Sequence, residues 1–257
     1  MRRYTVAVHR EYEIVNGLPL AVLWPEHKPL GEVLKLKATT PALVWEGTYQ
    51  GNPTPAGGYT FRREWWSGNN RYPAGGYAGK VVARCQSWDT SEGDNDDSAF
   101  SVCVTVDILA DYRLAVREVY RDRLTFDVLP ESIESMARQA NYDGLLRHVV
   151  IEDKSSGRSA NQTLRARSPG WLRLLLHPYM PAGSKEMRAG AASVWCRNGM
   201  ILLPEPGPGA EWLMDFEDEL FSFPQSVYKD QVDAFAQALL FLENYLSEGW
   251  TARRGGQ

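Results

Sequence analysis

The chain is poor in cysteine, with three in 257 residues at Cys85, Cys103 and Cys196. None forms a CxxC pair, and no cysteine–histidine cluster has zinc-ligand spacing, which excludes a zinc ribbon. Cys85 and Cys103 fall in apolar, strand-like runs, where buried free thiols and a reducing compartment are expected. Long apolar runs are missing too. No stretch reaches the ~20 residues that span a bilayer, and Met1-Arg2-Arg3-Tyr4 opens no secretory signal core. These absences predict a soluble, intracellular protein without membrane contact. An excess of positive charge is also lacking. The formal net charge is −4, which argues against a basic nucleic-acid coat but permits a local basic groove around an acidic site. There is no internal repeat and no low-complexity tract. Nor is there a GxxxxGK[ST] phosphate loop: Ala74 to Val81 fails at the first glycine and at the final Ser/Thr.

What is present is ample core material, with 44% hydrophobic residues and 9 Trp. Residues 1–78 read as an N-terminal extension. Short strands are expected within Tyr4–Val8 and Tyr12–Val22 and a helix from Leu30 to Ala38, then a Gly-, Asn- and Pro-rich linker from Gly68 to Gly79. From Lys80 the pattern is regular. Three strands are expected, from Lys80 to Asp89, Ala99 to Leu109 and Tyr112 to Leu124, the last two joined by a tight hairpin at Asp111-Tyr112. Period two puts Val81, Ala83, Cys85, Ser87 and Asp89 on one face of the first. A helix from Pro130 to Ala140, a buried strand at His148, a helix from Ser159 to Arg167 and a strand from Trp171 to Leu176 should follow. Ser184 should cap a helix to Asn198 that faces inward through Met187, Ala191, Val194 and Trp195. After a short strand from Met200 to Leu203, helices from Glu211 to Phe221 and from Asp230 to Leu246 close the series. Three hairpin-linked strands ahead of a βαβ unit predict an α/β domain over 79–257. Its architecture would be a ribonuclease H-like mixed central sheet flanked by helices.

Three acidic positions stand at the ends of these elements. His148-Val149-Val150-Ile151 runs straight into Glu152-Asp153, and small, turn-prone residues follow. A continuous Val/Ile run marks a strand buried on both faces, and open α/β sheets keep their ligands at the strands' carboxyl ends. Asp89 ends the first strand, and Asp230 opens the last helix with Asp233 on the same face one turn on. Each alone is ordinary, as a turn residue, a solvated strand end or a helix cap. Together they can converge on divalent metal. Hydrolysing a phosphodiester calls for neutralising a crowded anion, which two ions about 4 Å apart accomplish, and Mg²⁺ takes oxygen ligands. Asp89, Glu152 and Asp230 are therefore the candidate catalytic residues and metal ligands. Asp153 and Asp233 are further candidates, because period two lets only one of Glu152 and Asp153 face the metal. Lys154, Arg158, Lys185 and Arg188 stand near strand ends and helix starts, where phosphate contacts arise. His148 and His177 flank strands, and Trp65 and Trp66 are expected to pack in a core.

At these residues the sequence resembles the nuclease domain of phage terminase large subunits. Three blocks carry the resemblance: Gln86-Ser87-Trp88-Asp89-Thr90, Val150-Ile151-Glu152-Asp153-Lys154-Ser155-Ser156-Gly157, and Lys229-Asp230-Gln231-Val232-Asp233-Ala234. The third departs from the family in having Lys229 where an acid is usual. Trp24-Pro25-Glu26 and Tyr49-Gln50-Gly51-Asn52-Pro53 resemble the stretch joining the terminase ATPase to its nuclease, so the resemblance implies a separately encoded or truncated nuclease half. It further implies an endodeoxyribonuclease that uses two Mg²⁺ or Mn²⁺ ions to cut double-stranded DNA during viral genome packaging in the host cytoplasm. Its partners would be a separate terminase ATPase, a small terminase subunit and a portal. Two rival expectations are a non-catalytic DNA- or portal-binding module of a packaging motor, and another ribonuclease H-like enzyme such as a resolvase.

Overall fold

The structure, a computed structural model, describes residues 12–15, 18–22, 26–41, 44–45, 49, 60–74, 76–77, 79–91 and 99–254. The strand expected at Tyr4–Val8, the Trp24-Pro25 pair, most of the block from 46 to 59 and the acidic loop Asp94–Asp97 lie outside the described residues. Strand β1 (Tyr12–Val15) pairs antiparallel with β2 (Leu18–Val22), and helix α1 (Leu30–Thr39) follows. Two short 3₁₀ turns, Arg63–Trp66 and Gly68–Asn70, lead into β3 (Arg71–Tyr72). Phe61 and Trp66, ahead of the expected linker, are buried in the main core. Within Gly68–Gly79 the structure departs from a simple linker. Arg71 pairs with Glu217, and the Tyr72 hydroxyl donates to the Val116 carbonyl at 2.6 Å.

The alternating apolar run then becomes a meander of β4 (Val81–Asp89), β5 (Ser101–Leu109) and β6 (Leu114–Asp122). The β5–β6 turn is the expected tight hairpin, with Tyr112 at φ 67° and its N–H donating to the Leu109 carbonyl. Helix α2 (Leu129–Ala140), strand β7 (Leu146–Glu152), helix α3 (Ser155–Arg167), the single turn α4 (Gly170–Arg173) and strand β8 (Leu176–Tyr179) come next. Helix α5 (Lys185–Arg197), strand β9 (Ile201–Pro204), helix α6 (Leu213–Ser222) and helix α7 (Asp230–Arg254) complete the order. The seven main strands run β3-β9-β6-β5-β4-β7-β8, with β4 parallel to β7 and β7 parallel to β8. This is the mixed sheet with helices on both faces that the element order predicts. Helices α5, α6 and α7 pack on the face carrying Cys85, Val104 and Val150. Helices α2 and α3 pack on the face carrying Trp88, Cys103 and Ile151.

Two expectations change, and one strand carries a bulge. The stretch from Trp171 to Leu176 is helix and turn, because the Pro169 carbonyl accepts from Leu172 and Arg173 and starts a helical turn; only Leu176 belongs to a strand. On β6, Thr105 faces Glu118 while Val106 faces Val116, so Arg117 is an extra residue. Beyond that bulge Val119 is buried and Glu118 exposed, a one-residue slip that exchanges faces. On α5, Met187 and Ala191 are exposed, and Arg188, Ala189, Ala192 and Cys196 face inward.

Candidate metal centre

Strands β4 and β7 lie side by side and parallel, with Trp88 opposite Ile151. The next residue of each is an acid, so Asp89 and Glu152 end neighbouring strands at one sheet edge. Period two explains their facing. Cys85 and Val150 belong to the core under α7, and Asp89 and Glu152 share that face with them. The two carboxyls are neighbours at the ends of the paired strands. Burial pushes the Asp89 carboxyl well up, helped by the nearby Asp233 and Glu152 and opposed by Lys185. Glu152 moves the other way: burial would raise it, but the neighbouring Asp89 and the Lys154 ammonium at 2.8 Å hold it below the usual range.

Helix α7 brings the third element. Its N-terminal turn lies over β4 because Gln237 donates to the Ser87 hydroxyl at 3.0 Å and to the Trp88 carbonyl at 3.1 Å. Val232, Phe235, Ala236 and Leu239 fill the core below, as the helical spacing predicts. The start of α7 is held from another helix: Glu219 of α6 accepts from the Val232 N–H and from the Gln231 amide, each at 2.9 Å. Nothing in the local sequence signals this cap, since the partners are far apart along the chain.

These placements set Asp89, Asp230 and Asp233 around one cation, the Lys185 ammonium. Its nitrogen is 3.2 Å from Asp89 Oδ2, 3.0 Å from Asp230 Oδ1 and 3.3 Å from Asp233 Oδ2. Burial would lower the lysine pKa, but the three acids overcome it and raise it. Asp233 is also gripped by buried Arg188, whose N–H groups meet both its oxygens at 2.5 to 2.9 Å. Arg188, expected among phosphate-facing side chains, thus points inward. Asp153 stands apart from the cluster and meets Arg158 at 3.6 Å. Lys154 pairs with Glu152 at 2.8 Å and, like Arg158, is exposed. His177 meets His148 at 3.0 Å, beneath Phe241. Lys229 leans on Glu186 at 3.6 Å.

The loop between β7 and α3 is tight. A Cβ on Gly157 would fall 1.8 Å from the Glu152 carbonyl oxygen, so glycine is required for α3 to start against the strand end. Ser156 ties that start to β4, donating to the Thr90 carbonyl at 3.0 Å.

The donor set fits a hard divalent cation, since every group aimed at the shared position is a carboxylate oxygen. Among the described residues, no three His, Cys, Asp or Glu side chains stand close enough together to hold a metal as they are. The ammonium spaces the acids at hydrogen-bond range, about 1 Å beyond Mg²⁺–oxygen distances. Loading a metal therefore requires Lys185 to move and the acids to close in.

The family described as Terminase RNaseH-like domain matches residues 86–242, more than half of the chain and all of the acids above. Comparison with curated proteins gave no match. Among solved structures, the large terminase of a thermophilic bacteriophage in complex with ADP aligns with a TM-score of 0.59 at 11% identity. That alignment covers 82% of this chain and 51% of that one. The human cytomegalovirus terminase nuclease domain aligns at 0.47 and 12% identity, covering 67% and 89%. The large terminase nuclease of thermophilic phage G20c with bound magnesium aligns at 0.45 and 18% identity, covering 61% and 80%. The chain spans about half the length of the ADP-bound large terminase. No described helix is long and apolar enough to cross a membrane. On the family match and the sheet order together, this chain belongs to the terminase RNaseH-like domain family, with a ribonuclease H-like fold.

Proposed function

We propose that the chain is a divalent-metal-dependent endonuclease that cuts double-stranded DNA during viral genome packaging. One observation carries this reading: acids from β4 and α7 surround a single cationic position, and the β7 acid Glu152 ends the strand paired beside β4. Asp89, Glu152 and Asp230 would hold Mg²⁺ or Mn²⁺, as two ions, once Lys185 has moved away and the carboxylates have closed in. Asp233, held by Arg188, would steady the cluster from behind. A divalent ion bound there supplies the positive charge that offsets the anionic transition state of phosphodiester hydrolysis. The chain's own contribution is to hold the carboxylates on three rigid elements and to present Lys154 and Arg158 at the exposed rim for backbone phosphates. Residues 1–78 would serve as the connection toward a terminase ATPase, with a small terminase subunit and a portal as further partners in the host cytoplasm.

The test is nicking of supercoiled plasmid with Mg²⁺, Mn²⁺ or EDTA, beside Asp89→Ala. The proposal expects metal-dependent nicking that the variant loses. Folded protein that cleaves with neither metal would contradict a self-sufficient nuclease and favour a binding module of the packaging motor.

A further inference from the structure

Four observations concern Lys185 beyond its place among the acids. First, it opens α5, where Ser184 caps the helix by accepting from the Met187 N–H. A cation at a helix N-terminus is opposed by the helix dipole, so the three carboxylates hold it there against that preference. Second, its ammonium occupies one point shared by Asp89, Asp230 and Asp233. Third, its side chain is 36% exposed, whereas the neighbouring Arg188 side chain is only 5% exposed. Fourth, Arg188 spends its guanidinium on both oxygens of Asp233 and on the Gly183 carbonyl, while Lys185 makes point-charge contacts from a flexible stem. The guanidinium is buried and held in a fixed fork, and the ammonium sits on a flexible stem at the solvent-facing side of the cluster.

We propose that Lys185 is a built-in counter-ion that competes with the divalent metal for the carboxylate cluster. The ammonium neutralises the acids while the metal is away, and metal enters only as the ammonium leaves. This inference rests on the cluster being a metal site and adds that metal affinity is set partly by a residue that is not a ligand. Removing the ammonium should tighten metal binding, since the competitor is gone, and should destabilise the metal-free fold, since like charges are left facing each other. The arginine variant should restrain binding as lysine does.

The test is Mn²⁺ binding to the full chain, read as free Mn²⁺ by electron paramagnetic resonance. The proteins compared are the unaltered chain, Lys185→Gln, Lys185→Arg, and Asp89→Asn alone and combined with Lys185→Gln. The expected result is binding about tenfold or more tighter in Lys185→Gln, near-unchanged binding in Lys185→Arg, and loss of binding in both Asp89→Asn proteins. Equal or weaker binding in Lys185→Gln, with Asp89 still required, overturns the competition and leaves the metal site standing. Absence of any Asp89-dependent binding removes the metal site and the competition together. A second measurement needs no variant: the rate of amine acylation at Lys185, followed by mass spectrometry. It should rise when Mn²⁺ is added, as the ammonium is released to solvent, and an unchanged rate contradicts the proposal.

Discussion

Gln237, two turns into α7, donates to the carbonyl of Trp88, the residue before Asp89, at 3.1 Å. The same amide donates to the Ser87 hydroxyl at 3.0 Å. One buried side chain thus sets the height of α7 against the strand that ends in the first acid. Truncation in Gln237→Ala leaves the Trp88 carbonyl without this donor. The expected cost is about 1–3 kcal/mol, typical of a buried group left unpaired, measured by urea unfolding. Mn²⁺ affinity should fall as well, because Asp230 and Asp89 lose their common reference. Unchanged affinity in a folded variant would mean that the helix is positioned by its apolar face alone.

Gly157 makes a sharper steric prediction. An added methyl would meet the Glu152 carbonyl oxygen at 1.8 Å and the Thr90 hydroxyl at 2.9 Å. Backbone cannot yield as a flexible side chain can, so Gly157→Ala must displace either the start of α3 or the end of β7. We expect a loss of about 1–3 kcal/mol, as for overpacking, together with reduced metal binding. A stable variant that binds metal normally would show that the strand end tolerates the shift.

Glu152 and Asp153 separate by facing. Glu152 ends β7 beside Asp89, and Asp153 turns out toward Arg158. Glu152→Ala should lower metal-dependent nicking by about 100-fold. Asp153→Ala should stay within roughly twofold of the unaltered chain, as exposed substitutions do. The reverse order of effects would reassign the ligand.

The His148–His177 pair predicts a pH effect on stability. His148 Nδ1 meets His177 Nε2 at 3.0 Å, and its other nitrogen is buried with no partner among the described residues. The protonated ring would carry an N–H there without an acceptor. Burial, then the neighbouring His177 and Arg147, push the His148 pKa down from 6.5 to about 4. The unfolded chain therefore binds this proton first. The contribution is fully present above pH 6.5, declines as pH falls toward 4 and is flat below, amounting to on the order of 1–2 kcal/mol after solvent screening. Chemical unfolding at several pH values should show this slope, and His148→Gln should flatten it. An identical slope in the variant would assign the effect to other groups.

Much of this was legible in the chain because it is periodic. Alternation placed Asp89 at the end of β4 on the face of Cys85 and Ser87, and the Val149-Val150-Ile151 run located the central parallel strand. The last helix starts at Asp230, as expected. What stayed hidden depends on distant partners. Arg188 turns inward because Asp233 awaits it, and that ion pair overrides the apolar stripe that pointed to Met187. The bulge at Arg117 shows only through its pairing with β5. Lys185 could be placed near the site, but its position inside the acid cluster follows from three elements meeting in space.

The most direct measurement is a crystal structure of the full chain soaked in Mn²⁺, with the ion located by its anomalous scattering. The account predicts density within ligand distance of Asp89 and Asp230, with Glu152 drawn toward it and the Lys185 side chain swung out. Manganese bound elsewhere, or Lys185 unmoved among the three acids at saturating metal, would contradict it.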